Sequence, residues 1–600
     1  MAVMKPIASS DIPTGEEWLY EIKYDGFRCV IHWEKDRIRL TSKNGKNLTD
    51  SFPEIVEFCL KHESTVANFL PLILDGELVV LNTDYQTNFA LVQQRGRLKD
   101  PTRIKQAAEQ RPASFLAFDI LGLHGTSIEK EPLMKRKETL ATVFKQIGKG
   151  KTLSYVPAHS NPKQLWDILF DHKGEGLIAK RKNSTYQVGK SHRDWYKIKN
   201  WRKLHGFLTT YDSQNNYFSI GIYQEEDDVT EIGKCAHGLR ETDFRTLKEL
   251  FLTNGEKRGA FYHLPPAICA QIHSLDLYKN ELREPAFASL LPLEQPSAMT
   301  RKRLKLDMAM LPETIELTNT DKTFWPKPGY TKGDLLTYVR EISPYMLPFL
   351  KERALTIIRS PDGVEEDFFY QKHLPEYAPD FIERIPAGDN EFLLTCEGLD
   401  SLMWYANHGT VEYHIPFQKR ASEYPAEIVF DLDPPDRNSF PLAIEAASLL
   451  KELLDQLNLI SFVKTSGNKG LQIYIPLPEK SMSYEQTALF TQAMAWTIEK
   501  AQPKSFTTER MKKNRGGRLY IDYVQHGKDK TIIAPYSTRK TAEATVATPL
   551  FWNEVKDGLS PEQFTINNVP GRVKELGCPF SNYQLAKQEQ QTESILTLFT

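Results

Sequence analysis

At 600 residues, 40% hydrophobic and 26% charged, the chain is long enough for about three or four cores of ordinary size. Its formal net charge of −2 gives no overall signal of a nucleic-acid binder, whose domains are commonly basic, and leaves phosphate contact to local tracks such as RKRLK (301–305) and KKNRGGR (512–518). The start, MAVMKPIASSDIP, lacks a signal-peptide core, no apolar run is long enough to cross a bilayer, and the cysteines at 29, 59, 235, 269, 396 and 578 lack C-x-x-C spacing, which argues against zinc ribbons and a disulfide framework. A cytosolic chain with reduced thiols is expected.

EIKYDGFR, from Glu21 to Arg28, sets Lys23 two residues before Asp25-Gly26 in an apolar, strand-like run. A lysine attacks phosphorus only as the free amine, and nearby cations, a metal ion or partial burial lower its pKa toward that state. A strand puts Lys23 and Asp25 on one face, while Gly26 lets a bound nucleotide approach the backbone. A charged hairpin is the alternative for these residues alone.

The β-rich runs RCVIHW and RIRLTS lead into SKNGKNLTD, whose Asn44-Gly45 favours a tight turn, with Lys43 beside it to face phosphate. PLILDGELVVL reads as a buried strand with Asp75 and Glu77 on one face, and buried carboxylates need partners or a metal. SFLAFDILGLHG offers the aromatic plane of Phe118 to a base beside a carboxylate, or is another core strand. Residues 132–147 and NPKQLWDILFDHK, capped by Asn161, read as scaffold helices. GEGLIAKR places Glu175 before a strand ending in Lys180-Arg181, and WYKIKN puts Lys197 and Lys199 on one face, an arrangement that suits phosphate.

In this order, EIKYDGFR, SKNG, LDGEL, AFDIL, EGLIAKR and WYKIKN resemble the covalent nucleotidyltransferase motifs of ATP-dependent DNA ligases. The resemblance implies that Lys23 is adenylated by ATP, with Glu21, Asp25, Gly26, Arg28, Lys43, Phe118, Lys180, Lys197 and Lys199 around the nucleotide. It implies Glu77 and Glu175 as divalent-metal residues and Phe118 as the adenine wall. Lys43 departs from the arginine common before Asn-Gly in that family, which keeps charge but loses a bidentate phosphate contact.

Residues 203 to about 295 carry short β-like runs, GFLTTYD, YFSIGIYQ and EIGKCAHGL, then FRTLKELFL and ELREPAFASLLP. A small β-barrel is expected, and the ligase resemblance implies an OB-fold; a plain barrel with another binding role is the alternative. Residues 296–310 shift to clustered charge and read as a linker before a strand-like TIELTN.

In EIVFDLDPP, Asp431 and Asp433 stand at i and i+2 on an apolar strand, so both carboxylates face one side. Such a pair suits two divalent ions that activate a sugar hydroxyl and stabilise a displaced phosphate, with Asp522 of RLYIDYVQ available as a third ligand. A strand-end acid pair is the plain alternative. SFVKTSGNKGLQIYIPL reads as strand, turn, strand, with Ser466, Lys469 and Gly470 in a turn able to cradle phosphates. SYEQTALFTQAMAWTIEKAQP begins with a Ser483/Gln486 capping box.

TDKTFWP, GYTKGD, RSPDG, FFYQKH, ANHGTVEYH, FDLDPP, KTSGNKG, IDYVQ and APYSTRK together resemble the primase-like polymerase domain of bacterial ligase D. The resemblance implies Asp431, Asp433 and Asp522 as metal ligands, with His414, Ser466, Lys469, Gly470 and Arg539 around the incoming nucleotide. It implies DNA stacking on Phe368 and Phe369, and a 5′-phosphate gripped by Lys322 and Lys332.

The expected architecture is α+β and multidomain: an adenylation domain of the covalent nucleotidyltransferase (ATP-grasp-like ligase) class at 1–201, an OB-fold at 202–295, a linker at 296–310 and an archaeo-eukaryotic primase-like α/β polymerase domain at 311–600. The expected function is bacterial non-homologous end joining, with gap filling by template-dependent (ribo)nucleotide addition and sealing through lysyl-AMP, and without a phosphoesterase domain. Expected cofactors and substrates are ATP, NTP or dNTP, and Mn²⁺ or Mg²⁺ at both sites, with manganese favoured. Expected partners are double-stranded DNA ends bearing 5′-phosphate and a Ku homodimer, with no membrane, for a monomer in the bacterial cytoplasm that joins the nucleoid when acting. A primase, an RNA-end repair ligase and a non-catalytic end-bridging scaffold are the competing readings.

Overall fold

A computed structural model describes residues 3–148, 150–225, 228–388 and 390–597. It divides into two compact units, Met1–Met310 and Leu311–Thr600.

In the first unit, alternating apolar residues close a core beneath one sheet, ordered Arg37–Ser42, Phe27–Glu34, Leu72–Val79, Ser114–Leu123 and Thr126–Ser127. Cys29, Ile31 and Trp33 line that core with no exposed surface. The helix Leu133–Ile147 covers it with Leu140, Val143 and Phe144. A second sheet runs Ile7–Ala8, Trp195–Lys199, Gly176–Arg181 and Trp18–Ile22. The helix Pro162–Asp171 packs on it, and Asn161 caps that helix by accepting from the Gln164 amide.

Lys23–Gly26 is not a strand but the connection between the two sheets, which corrects the sequence expectation. The backbone of Gly26 lies against Leu72–Val79, where a Cβ would stand 2.2 Å from the Leu78 carbonyl oxygen. Glycine is therefore required here by the approach of the protein's own strand.

The remainder of this unit is a curled sheet of Asp228–Cys235, Tyr217–Glu225, Arg202–Asp212, Phe261–Ser274 and Glu256–Arg258, with Ala286–Leu290 also paired to Phe261–Ser274. A His237–Ala286 bridge joins its outer strands, giving the barrel. The long strand Phe261–Ser274 escapes a sequence reading because it contains Pro265-Pro266. Register passes from His263 to Ile268 opposite Thr210 and Leu208, so both prolines sit in a bulge where no ladder amide is needed.

Residues 296–310, expected to be a linker, instead hold the helix Arg301–Ala309, whose Leu304 and Met308 enter the barrel core. Its four Arg and Lys residues mask the apolar positions in a composition-based reading.

The second unit is built on a sheet ordered Phe506–Thr507, Leu519–Asp522, Glu427–Asp433, Leu471–Pro476, Phe462–Thr465 and Pro549–Leu550, antiparallel except at its first pair. Helices Phe440–Gln456 and Tyr484–Ala501 are anchored to it by buried Ala447, Leu450, Phe490 and Met494, and the Ser483/Gln486 capping box is present. A smaller sheet runs Phe369–Gln371, Thr356–Arg359, Thr410–Pro416 and Thr531–Ile533. Residues 314–319 (TIELTN) form no strand; the Thr318 carbonyl oxygen instead accepts from Lys332 Nζ at 2.6 Å.

Two candidate active sites

Lys23 lies where the chain leaves one sheet of the first unit for the other. Its amide donates to the Gly176 carbonyl oxygen at 2.8 Å, and its Nζ pairs with the Glu175 carboxylate. Burial pushes the Glu77 carboxyl up to about 7; Arg28 and Lys23 oppose the rise, while Glu175 and Asp75 add to it. Burial also lowers the Lys197 ammonium, with Lys199 and Lys23 adding repulsion. Lys23, Glu77, Glu175, Lys197 and Lys199 thus share one electrostatic neighbourhood.

Behind it, the buried Glu21 carboxylate receives Lys180 at 2.6 Å and Lys137 at 2.8 Å. Burial lowers the Lys180 ammonium, and Glu21 partly restores it. The sequence reading treats Lys137 as part of a scaffold helix. Its signal is a lysine on the apolar stripe of that helix, between Leu133 and Leu140, where a charge demands a partner. Arg136 on the same stripe pairs with Asp119, both fully buried.

Arg28 forks onto Asp75 with two 2.6 Å bonds and lies 4.4 Å from the centre of the Phe118 ring; Lys180 Nζ lies 4.6 Å from it. Phe118 therefore forms a wall flanked by cations. Asp25 is paired with Arg283, and Lys199 with Glu284, so the Glu281–Arg283 strand, which pairs with Asp276–Tyr278 and sends Leu282 into the barrel core, and the residue after it reach the motifs between Glu21 and Lys199. Neither Arg283 nor Glu284 is assigned a role by the sequence reading. Lys43 is exposed on the turn closed by the Gly45 amide to Ser42 at 2.8 Å, and Gly45 has φ +80°.

In the second unit, Asp431 stands directly opposite Asp522 on the neighbouring strand, two residues before Asp433. Burial pushes the Asp431 carboxyl up to about 6; a Gln472 hydrogen bond opposes this, while Asp433 and Asp522 reinforce it. Burial likewise raises Asp522, against hydrogen bonds from the Tyr520 hydroxyl and the Gln525 amide.

Lys469 lies 3.0 Å and Arg515 3.5 Å from the two oxygens of Asp433. Among the described residues no three His, Cys, Asp or Glu side chains are gathered around one metal position. Carboxylates crowded closely enough to raise one another's pKa are nonetheless a hard-oxygen donor set that fits divalent ions. In the first unit, the buried Glu175 Oε2 lacks a hydrogen-bond donor and lies in the field of Glu77, which also fits a cation.

The Ser466 hydroxyl accepts from the Gly470 amide at 3.0 Å, bracing the loop, and Gly467 takes φ +72°. A Cβ at Gly470 would stand 2.2 Å from the Leu432 carbonyl oxygen, so this glycine keeps the loop against the acidic strand. His414 lies 2.9 Å and Arg539 3.1 Å from Glu412, a buried carboxylate, missed by the sequence reading, that holds both. Phe368 and Phe369 are about half exposed, with Lys540 Nζ 4.3 Å from one ring centre and Arg359 5.1 Å from the other. Lys322 pairs with Asp362, and its carbonyl accepts from the Lys332 amide at 2.8 Å. Burial beside Lys322 pulls the Lys332 ammonium down to about 8.

Residues 4–199 match the family of the ATP dependent DNA ligase domain, and residues 331–580 match that of the LigD primase-polymerase domain. The bifunctional non-homologous end joining protein LigD of Bacillus subtilis (strain 168) is 38% identical, over 99% of this chain and 98% of its own length. The chain belongs to the LigD family. The multifunctional non-homologous end joining protein LigD of Pseudomonas aeruginosa is 24% identical over 96% of this chain and 71% of its own length. A solved polymerase domain from Mycobacterium tuberculosis ligase D, in complex with DNA, is 30% identical and covers 46% of this chain and 99% of its own, with a TM-score of 0.42. The chain combines an ATP-dependent DNA ligase domain with a primase-polymerase domain, the ligase first. No helix among the described residues is long and apolar enough to cross a membrane.

Proposed function

We propose that the chain repairs broken DNA ends by filling gaps in its second unit and sealing the resulting nicks in its first. The observation that carries this is the pairing of a nucleophile site at Lys23 and Glu175 with a separate acidic site at Asp431 and Asp522, in a chain of the LigD family.

In sealing, Lys23 Nζ attacks the α-phosphate of ATP, forming a P–N bond and releasing pyrophosphate. Glu175 orients the amine, Lys180, Lys197 and Lys199 attract the phosphates, and Phe118 walls the adenine. AMP then passes to a DNA 5′-phosphate, and the adjacent 3′-hydroxyl displaces it. In filling, a primer 3′-hydroxyl attacks the α-phosphate of an incoming nucleoside triphosphate, forming a phosphodiester bond and releasing pyrophosphate, with ribonucleotides preferred. Divalent ions, Mn²⁺ foremost, supply Lewis acidity at both sites when bound. Asp431, Asp433 and Asp522 would hold them in the second unit, and Glu77 and Glu175 in the first.

Ser466, Lys469, His414 and Arg539 surround the triphosphate. Lys322 and Lys332 hold the 5′-phosphate of the break, while Phe368 and Phe369 stack on DNA. We further read the protein as a cytoplasmic monomer recruited to ends by a Ku homodimer, in keeping with the end-joining names of its relatives.

The test is a gapped duplex bearing a 5′-phosphate, supplied with ATP, nucleotides and Mn²⁺, and scored for extension and sealing. Both are expected from the full chain. Sealing without extension, or extension without sealing, would overturn the two-step reading.

A further inference from the structure

Across the central sheet of the second unit, four residues stand directly opposite one another on four neighbouring strands: Asp522, Asp431, Gln472 and Lys464. Gln472 and Lys464 are 3% and 0% exposed. Lys464 Nζ donates to Gln472 Oε1 at 2.5 Å and to the Thr465 carbonyl oxygen at 3.4 Å. Gln472 Nε2 donates to Asp431 Oδ1 at 3.1 Å. The row runs lysine nitrogen, amide, carboxylate, carboxylate.

The chemistry of each member settles how the next must face. An ionised carboxylate only accepts, so the amide presents its NH₂ to Asp431 and turns its carbonyl oxygen to the far side. There, buried at the centre of the sheet, that oxygen needs a donor. Lys464 is the donor, and its own burial leaves the side-chain nitrogen little choice of other acceptors. A methionine or leucine at 464 would fill the space but remove the group that distinguishes the two amide orientations.

We propose that Lys464 is a positioning residue of the polymerase site, acting through the Gln472 amide to hold Asp431 Oδ1 and leave the second carboxylate oxygen for a divalent cation. This rests on reading Asp431, Asp433 and Asp522 as the metal ligands. Outer partners that orient metal ligands commonly change metal affinity by about 10–100-fold when removed.

The test uses the full chain and Mn²⁺ alone, following free Mn²⁺ by electron paramagnetic resonance. Asp431→Ala defines the ions bound elsewhere. Lys464→Met is expected to raise the dissociation constant of the Asp431-dependent ion about tenfold, with melting and lysyl-adenylate formation retained. Saturating Mn²⁺ should then restore nucleotide addition in Lys464→Met but not in Asp431→Ala, a rescue that a merely structural lysine would not show.

If Lys464→Met does not fold, the double variant Lys464→Met/Gln472→Leu, which removes the amide together with the lysine that faces it, takes its place with the same expected weakening. Wild-type Mn²⁺ affinity in either folded variant would overturn the role of Lys464. If Asp431→Ala itself loses no ion relative to the wild type, the metal-ligand reading fails; if it does and Lys464→Met does not, only the relay fails.

Discussion

The two sites solve opposite electrostatic problems. Around Lys23 the side chains come as cation and carboxylate pairs: Lys23 with Glu175, Arg28 with Asp75, Glu21 with Lys137 and Lys180. Around Asp431 the carboxylates face one another, Lys464 acts on Asp431 from beyond Gln472, and Lys469 and Arg515 sit on Asp433. Under the proposed function, the difference follows from where the nucleophile resides. A ligase carries its nucleophile on the protein, so an amine must be aimed and held; a polymerase takes it from the primer, so the protein supplies acceptors for ions that arrive with substrate.

The largest expected effect tests whether these are separate machines. Lys23→Ala should abolish labelling of the chain by α-labelled ATP while leaving nucleotide addition, and Asp431→Ala should do the reverse, each with a loss of at least about a thousandfold. Persistent label in Lys23→Ala would remove that lysine from the reaction.

A smaller effect probes the barrel's contribution to the first site. Arg283→Ala should slow lysyl-adenylate formation about tenfold, equivalent to about 1.4 kcal/mol, by releasing Asp25. An unchanged single-turnover rate would make the Arg283–Asp25 pair irrelevant to the adenylation step.

Of similar size is a pH effect confined to the second unit. With its pKa held at about 8, Lys332 is cationic at pH 7 and mostly neutral at pH 9. A phosphate-bound state keeps the proton, so binding is strongest below about 8 and is lost above it. The preference for a 5′-phosphorylated gap over an unphosphorylated one should therefore fall about tenfold from pH 7 to pH 9. Lys332→Arg should flatten that fall, because a guanidinium stays charged throughout. Binding titrations at both pH values decide it.

The last expected effect concerns stability alone, with no change in either activity of the folded chain. Leu304→Ala should destabilise the first unit by about 2–4 kcal/mol through the cavity left in the barrel core, leaving the second unit's melting unchanged. No change in either transition would return residues 296–310 to the status of a linker.

Much of this was legible in the chain itself. Asp431 and Asp433 alternate on an apolar strand, which puts both carboxylates on one face whatever the rest of the fold does. The ordered motifs from Glu21 to Lys199 identify a ligase, and caps such as Asn161 and Ser483 mark helix starts, because these signals act within a few residues.

Long-range pairing was not legible. That Lys137 and Lys180 meet on Glu21, that Arg283 reaches Asp25, and that Arg539 reaches Glu412 depends on residues up to 258 positions apart being brought together. Local pattern carries no information about such distant partners. The strand through Pro265-Pro266 and the buried face of Arg301–Ala309 were likewise decided by tertiary packing, through a bulge that frees the prolines from the ladder and a barrel core that takes in Leu304 and Met308. The sequence alone determined which chemical groups this protein brings to phosphate. The fold decided which of them face each other, since burial makes an unpaired charge too costly to leave and so selects the partners.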